Sequence, residues 1–441
     1  MRYILTIIFI FFTGCSDVGD VKDSSSAPKD IEKNITETNT TDLNESIKEI
    51  DENKTVEDEK NSTKIVFQHN EPYTNQFQPS GDTDPDAPIY IPPVEPEKEY
   101  LNGKELKILS GDIKQDKLLS KTYYWKISGE VRVLDGSRLS IEEGTTLFGE
   151  DKNSILSFED GSELIALGKK SEPIIFTSEF DILDGNPKAG DWGGIVLNSS
   201  QTSILKYAQI RYAGYNRPAL KLENMGFESI LEFVQIYISH SDGIELNGGK
   251  LNLRNIIILG ANGDSLSLKN SWNGNLQNIY IHQFEDIFGE RSSGLEIASD
   301  IKDSIITNIT ILSDVSDVGA GIYLRGESEI QIVNSIITGK RSSVCLKAEL
   351  LSTKHIFESN VLGNCSDGHL LKIKLDSNLN YLTSENRTLK EFSKKVEPIN
   401  PASFGRFDDY PELYIGSFNF NLDKKWSDSW SIGMEDILGE K

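Results

Sequence analysis

The 441-residue chain is poor in the groups that most enzymes use for metal or nucleophilic chemistry. It has 3 cysteines and 5 histidines. The histidines, at positions 69, 240, 282, 355 and 369, show no metal-ligand spacing. No Gly-x-Ser-x-Gly elbow, phosphate loop or dinucleotide fingerprint lies in a suitable context, which argues against the chemistries built on those motifs. Cationic residues are scarce too: 45 Lys and Arg face 69 Asp and Glu, a net charge of −24. That balance argues against nucleic acid as a partner and against adhesion to anionic lipid. Beyond the first residues no apolar run is long enough to cross a membrane, and no C-terminal barrel pattern is present.

The first residues carry an address. Arg2 is a positive n-region, Ile4 to Phe12 form an apolar run too short for a span, and Phe12-Thr13-Gly14-Cys15 follows. Two small residues before a cysteine resemble the lipobox of bacterial lipoproteins, with Phe12 an atypical first member. Residues 1–14 are therefore expected to be a cleaved signal peptide, and Cys15 to carry the acyl chains that anchor the protein stably. Ser16 after the anchor points to the outer membrane, with its periplasmic or outer face left open.

From Ser16 to Tyr100 there are 21 acidic and 8 basic residues, a net −13. No apolar period is sustained, and prolines gather from Pro79 to Pro96. Residues 15–101 are thus expected to form an acidic, disordered tether with a stiffer end. Five Asn-x-Ser/Thr sequons lie here, at Asn34, Asn39, Asn44, Asn53 and Asn61. Each has an acid two positions upstream: Glu32, Glu37, Asp42, Asp51 and Glu59. The sequons at Asn198, Asn308, Asn364 and Asn386 lack it. The extended pattern is similar to the acceptor of bacterial oligosaccharyltransferases, so the five tether asparagines are expected to be N-glycosylated where the host has that enzyme.

From Asn102 the texture changes to short β-rich runs broken by Gly and Asn. One polar position recurs at Gln209, Gln235, Asn255, Asn278, Asn308, Asn334 and Asn360, at separations of 26, 20, 23, 30, 26 and 26. A second register follows it: Pro218-Ala-Leu-Lys-Leu222, Asp242-Gly-Ile-Glu-Leu246, Asp264-Ser-Leu-Ser-Leu268, Ser293-Gly-Leu-Glu-Ile297 and Ala320-Gly-Ile-Tyr-Leu324. Repeats of this length without a helical period describe an all-β parallel solenoid over residues 102–378. Isoleucine and leucine would stack into its core, and the Asn/Gln column would hydrogen-bond from coil to coil. About ten to twelve coils, a rod of roughly 50 Å, are expected at the strand spacing.

The ordered set Leu139-Ser-Ile-Glu-Glu-Gly-Thr-Thr-Leu-Phe-Gly149, Pro173-Ile-Ile-Phe-Thr-Ser178, Gly190-Asp-Trp-Gly-Gly-Ile-Val196, Asp242-Gly-Ile-Glu-Leu-Asn-Gly-Gly249 and Trp272-Asn-Gly274 continues to Tyr414-Ile-Gly-Ser-Phe418 and Trp426-Ser-Asp-Ser-Trp430. It resembles a largely uncharacterised family of bacterial surface lipoproteins and secreted proteins. The resemblance implies a right-handed, pectin-lyase-like parallel β-helix and leaves function open. The paired aspartates and Gly-His-Gly of β-helix pectin hydrolases are missing, and Gly368-His369-Leu370 is not that motif.

Residues 379–441 are aromatic and are expected to form an end cap or packing arm, a carbohydrate-stacking platform being the alternative. Cys345 and Cys365, an even pair in an oxidising compartment, form either a bridge or two buried thiols. Outward residues of the second register make a stripe through Lys221, Glu245, Ser267, Glu296 and Tyr323, with Asp242 and Asp264 at the strand starts. Asp242, Glu245, Asp264 and Glu296 could hold Ca²⁺, with Lys221 or Arg217 as a base. Turn chemistry and solvated surface explain the same residues, and no other cofactor is implied. The expected function is that of an anchored extracytoplasmic lipoprotein presenting a rigid β-helix for binding, adhesion or envelope structure. Its partners would be the membrane and a polysaccharide or another envelope or surface protein. The alternative is a polysaccharide lyase or epimerase on the same stripe.

Overall fold

A computed structural model describes residues 98–198, 201–285, 292–314, 320–339, 344–350, 355–365, 380–404 and 413–434. The chain divides into units Met1–Ile91 and Pro92–Lys441, and all described residues lie in the second. The expected signal peptide of residues 1–14, Cys15 and the five tether sequons lie outside them.

The strands form three parallel columns wound into a solenoid of about 9 turns with almost no helix. In the first sheet, Leu205 pairs with Leu231, and the column continues through Leu253, Leu276, Ile306 and Ile332 to Phe357. In the second, Ile210, Ile236, Ile258, Ile281, Ile311, Ile337 and Leu362 stack in turn. In the third, Leu220, Ile244, Leu266, Leu295, Ile322 and Leu346 do the same. All but Phe357, which packs against it half-buried, belong to one buried cluster. Each buried Ile or Leu contributes about 1.5–3 kcal/mol, so the stack is stabilised along its whole length. The second register read from the sequence is this third sheet. The count of ten to twelve coils is too high because coils vary in width. The coil from Ile155 to Gly194 also carries the short helix Glu179–Ile182 and the loop after it.

Strands such as Leu253–Ala261 and Asn275–Gln283 run through the first sheet, turn a corner, and enter the second. The corner residue is left-handed on seven successive coils: Tyr207, Phe233, Asn255, Asn278, Asn308, Asn334 and Ser359, with φ between 48° and 57°. Asparagine tolerates this region best among residues with a Cβ, which is why it recurs.

That geometry corrects the expected amide ladder. Only Asn255, Asn278, Asn308 and Asn334 share the corner register. Gln209 and Gln235 pair with each other two positions further on, where the next coil has Ile257. Asn360 lies one position past the corner, and there a coil-to-coil ladder does form. Its Oδ1 accepts from Ser335 N (2.9 Å), its Nδ2 donates to Ile332 O (2.8 Å), and its N donates to Asn380 Oδ1 (3.3 Å).

The other amides hold the C-terminal arm instead. The last rung, Asn380–Thr383, pairs with Asn360–Gly363, so the solenoid runs slightly past position 379. The helix Leu389–Phe392 then seats Phe392 against Gly363. From there the chain returns along the outer face of the second sheet. Asn334 exchanges hydrogen bonds with Ile399 (2.7 and 2.8 Å), Asn308 Nδ2 donates to Tyr414 O (2.6 Å), and Tyr414 OH donates to Asn278 Oδ1 (3.0 Å). Gln235 exchanges bonds with Ile432, and Gln209 Nε2 donates to the Trp430 carbonyl. Under the arm lies a second apolar cluster that includes Ile257, Leu259, Tyr280, Phe418 and Trp430. The rings of Phe418 and Trp430 are fully buried and that of Phe420 nearly so, and these described residues pack as an arm.

Cys345 is disulfide-bonded to Cys365, 20 positions apart with Cα atoms 5.5 Å apart, tying the third sheet to the end of the second-sheet strand Asn360–Gly363.

Candidate functional site

The third sheet faces outward with alternate residues of each strand, because successive side chains of a strand point to opposite faces. Parallel pairing then places Lys221, Glu245, Ser267, Glu296 and Tyr323 side by side on adjacent coils. Asp242 and Asp264 sit at the turns that feed the strands. Asp242 Oδ1 accepts from Asp264 N (3.0 Å) and its Oδ2 from Ser267 Oγ (2.9 Å). Asp264 Oδ1 accepts from Ser293 N (2.5 Å). The stripe and its four acids are therefore one site.

The acids have cations that the sequence reading missed. Lys269 lies on the same outward face as Ser267, two positions on. Its Nζ is 2.8 Å from Glu245 and 3.5 Å from Asp242. Burial works against the lysine charge, but Glu245 and Asp242 outweigh it and raise its pKa. Lys221 reaches Glu223 at 2.6 Å and Glu245 at 3.9 Å. Arg325 Nε donates to Glu296, and Arg325 Nη1 lies 3.5 Å from Glu349. Tyr323 donates to Glu349 (2.6 Å) with the Lys347 ammonium 4.3 Å over its ring. Lys269 was legible from strand alternation. Arg325 lies past the end of its strand, where alternation predicts nothing.

Asp264 is the exception to this neutralisation. Burial, and then Glu296 and Asp242 beside it, push its carboxyl up to about 8, which favours its protonated form. Glu296 and Glu245 are only 6% and 9% exposed.

The donor set does not suit calcium, which takes six to eight oxygens and leaves no place for an ammonium among them. Among the described residues no group of three or more His, Cys, Asp or Glu is arranged to hold a metal. Arg217 donates its backbone N to Gly214 O (3.4 Å), and its guanidinium Nε is buried without a hydrogen-bond partner among the described residues. No helix among the described residues is long and apolar enough to cross a membrane.

No curated protein and no solved structure matches the chain. A family model does, over residues 111–204 and 198–403, which takes in all three sheets from the first coils to the start of the returning arm. The stacked parallel rungs and this match agree, and the chain belongs to the family of pectate-lyase-like β-helix domains.

Proposed function

We propose that the protein is an envelope lipoprotein that presents its solenoid as a rigid binding or adhesion surface, and does not act as a catalyst. The observation that carries this reading is the internal pairing of the stripe. Glu245 is held by Lys269 and Lys221, Glu296 by Arg325, and Asp242 by Ser267 and a backbone N–H. A lyase needs an unengaged base and a free metal or anion site over the sugar. These residues already satisfy one another. The lipobox-like Phe12-Thr13-Gly14-Cys15 supports acylation of Cys15, and the tether supports glycosylation at Asn34, Asn39, Asn44, Asn53 and Asn61. The partner class is an envelope or surface polysaccharide, or another surface protein.

One observation favours the competing reading of a polysaccharide-active enzyme. Asp264, whose carboxyl is pushed well above the usual carboxylate range by burial and by Glu296 beside it, has the form of a general acid.

The two readings separate in one assay. The purified protein is incubated with uronic-acid polymers, with calcium and with chelator, and both retention on the polymer and unsaturated or shortened products are followed. Retention without products is expected. Products that vanish in Glu245→Ala or Asp264→Asn would overturn the binding reading. Protease shaving of intact cells tests display on the surface, and mass spectrometry of tether peptides tests the sugars.

A further inference from the structure

The first coil differs in charge from the rest of the chain. From Lys98 to the end of the strand Tyr123–Val133, eight Lys and Arg face five Asp and Glu, a net +3 in a chain of −24. Lys107, Lys121 and Lys126 are tied to Glu105, Glu172 and Glu179. Lys104 and Lys117 have no ion pair among the described residues, and they lie instead over the rings of Tyr124 and Trp125, at 5.0 and 5.8 Å. Burial, and then Lys121 beside it, lower the pKa of Lys104, the mark of a cation with no acid to balance it.

The same coil is an open end of the solenoid. Lys107–Ile113 and Lys117–Leu119 pair with the next coil on one side. Among the described residues, only the short strand Tyr100–Leu101 pairs with the other edge, at Lys104 and Glu105. Lysine on an edge strand deters pairing with a foreign strand, which accounts for the cations but not for their company. Tyr100, Ile108 and Leu118 are each more than half exposed here. Exposed apolar side chains set among unbalanced lysines and aromatic rings compose a surface suited to lipid headgroups. There the ammonium reaches the phosphate while its stem and the rings enter the interface. A second copy of the same end is disfavoured, because two like-charged surfaces repel.

Building on the reading of Cys15 as an acylated anchor, we infer that this end of the solenoid docks on an anionic phospholipid leaflet. Lys104 and Lys117 meet the headgroup phosphates, and Tyr100, Ile108 and Leu118 lie at headgroup depth. The net charge of the whole chain disfavours such a surface, but a charge is felt only within about 8 Å at physiological salt, so the local +3 decides. The first coil is also the described part nearest in sequence to Cys15, and an acyl anchor there presents a bilayer at high effective concentration. A weak contact is then enough to set the solenoid with its first coil on the membrane and its later coils away from it.

The test reconstitutes the full chain, purified from membranes, into vesicles of phosphatidylcholine alone or with about 30% phosphatidylglycerol. Flotation reads the anchor, and lysine acetylation followed by mass spectrometry reads the contact. On the phosphatidylglycerol vesicles, labelling of Lys104, Lys114 and Lys117 is expected to fall about threefold or more. Lys250 and Lys424, exposed on later parts of the chain, should keep their labelling. The protection should vanish in about 0.5 M salt. With Lys104→Glu and Lys117→Glu combined, Lys114 should label equally on both vesicles, with the melting temperature unchanged, and Ile108→Ser should weaken the protection in part. Flotation on both vesicles with no difference in labelling would overturn the inference and leave the anchor standing. Flotation on the phosphatidylglycerol vesicles alone would refute the anchor and uphold the contact, and flotation on neither would overturn both. Protection already present in detergent without vesicles would mean that protein covers this end, and would also overturn the inference.

Discussion

The second and third sheets of the solenoid share the same rungs and the same inward isoleucines and leucines, yet their outer faces are completed in opposite ways. Outside the second sheet stand Ile257, Leu259 and Tyr280, all fully buried beneath the returning arm. Outside the third stand Glu245 and Glu296, neutralised across coils by Lys269 and Arg325. A β-rung offers two faces, and only one can meet the core. The other is finished either by more protein or by charge, and the two flanks show both solutions in one molecule.

The largest expected effect lies on the covered flank. Phe418→Ala removes a fully buried ring that packs on Tyr280 and Trp426, at 5.4 and 5.1 Å. It should cost about 3–5 kcal/mol in urea denaturation. A smaller loss would mean that the arm is held by its amide contacts and not by apolar burial. At the corner, Asn278→Ala forfeits the Tyr414 hydrogen bond and puts an alanine at φ 57°, a loss of about 1–3 kcal/mol. Asn278→Gly should recover part of it, and equal losses would deny the backbone a role.

The charged flank should show itself through pH. Asp264 binds its proton more tightly in the fold, to about 8, than in the unfolded chain, near about 4. The folded state therefore holds the extra proton between these limits. Its stabilising contribution is complete below the lower value and is lost as pH rises to the upper one. Asp264→Asn should flatten that fall and gain on the order of 1 kcal/mol at pH 8, measured by denaturation at pH 6 and pH 8.5. The smallest effect is Lys221→Ala, whose partly exposed pair with Glu223 is worth less than about 1 kcal/mol. A larger loss there would mean the flank works as one network and not as separate pairs.

The third sheet could be read almost residue by residue from the sequence, because Leu220, Ile244, Leu266, Leu295 and Ile322 recur two positions apart from a second apolar residue in each strand. The corner could not be read that way. What repeats there is a backbone conformation, and Tyr207 and Phe233 adopt it without any residue type to announce it, so Gln209 and Gln235 were aligned in their place. The covered flank did leave a sign that went unread. Ile256-Ile257-Ile258-Leu259 is an unbroken apolar run, the mark of a strand buried on both faces. In the stripe, the acids followed from alternation, but the protonation of Asp264 depends on Glu296 and Asp242, which reach it only through the winding of the coils.

The hydrogen bond from Gln209 to Trp430 joins residues 221 positions apart. A chain that winds from its N-terminus can stack its rungs one after another, each loop closing over roughly one coil. The early rungs nevertheless wait with a sticky side until the last-made residues arrive to cover them. A product truncated before about position 413 would keep a wound rod and an exposed oily strip. Premature termination should therefore yield aggregation and proteolysis, while the rungs themselves stay sound.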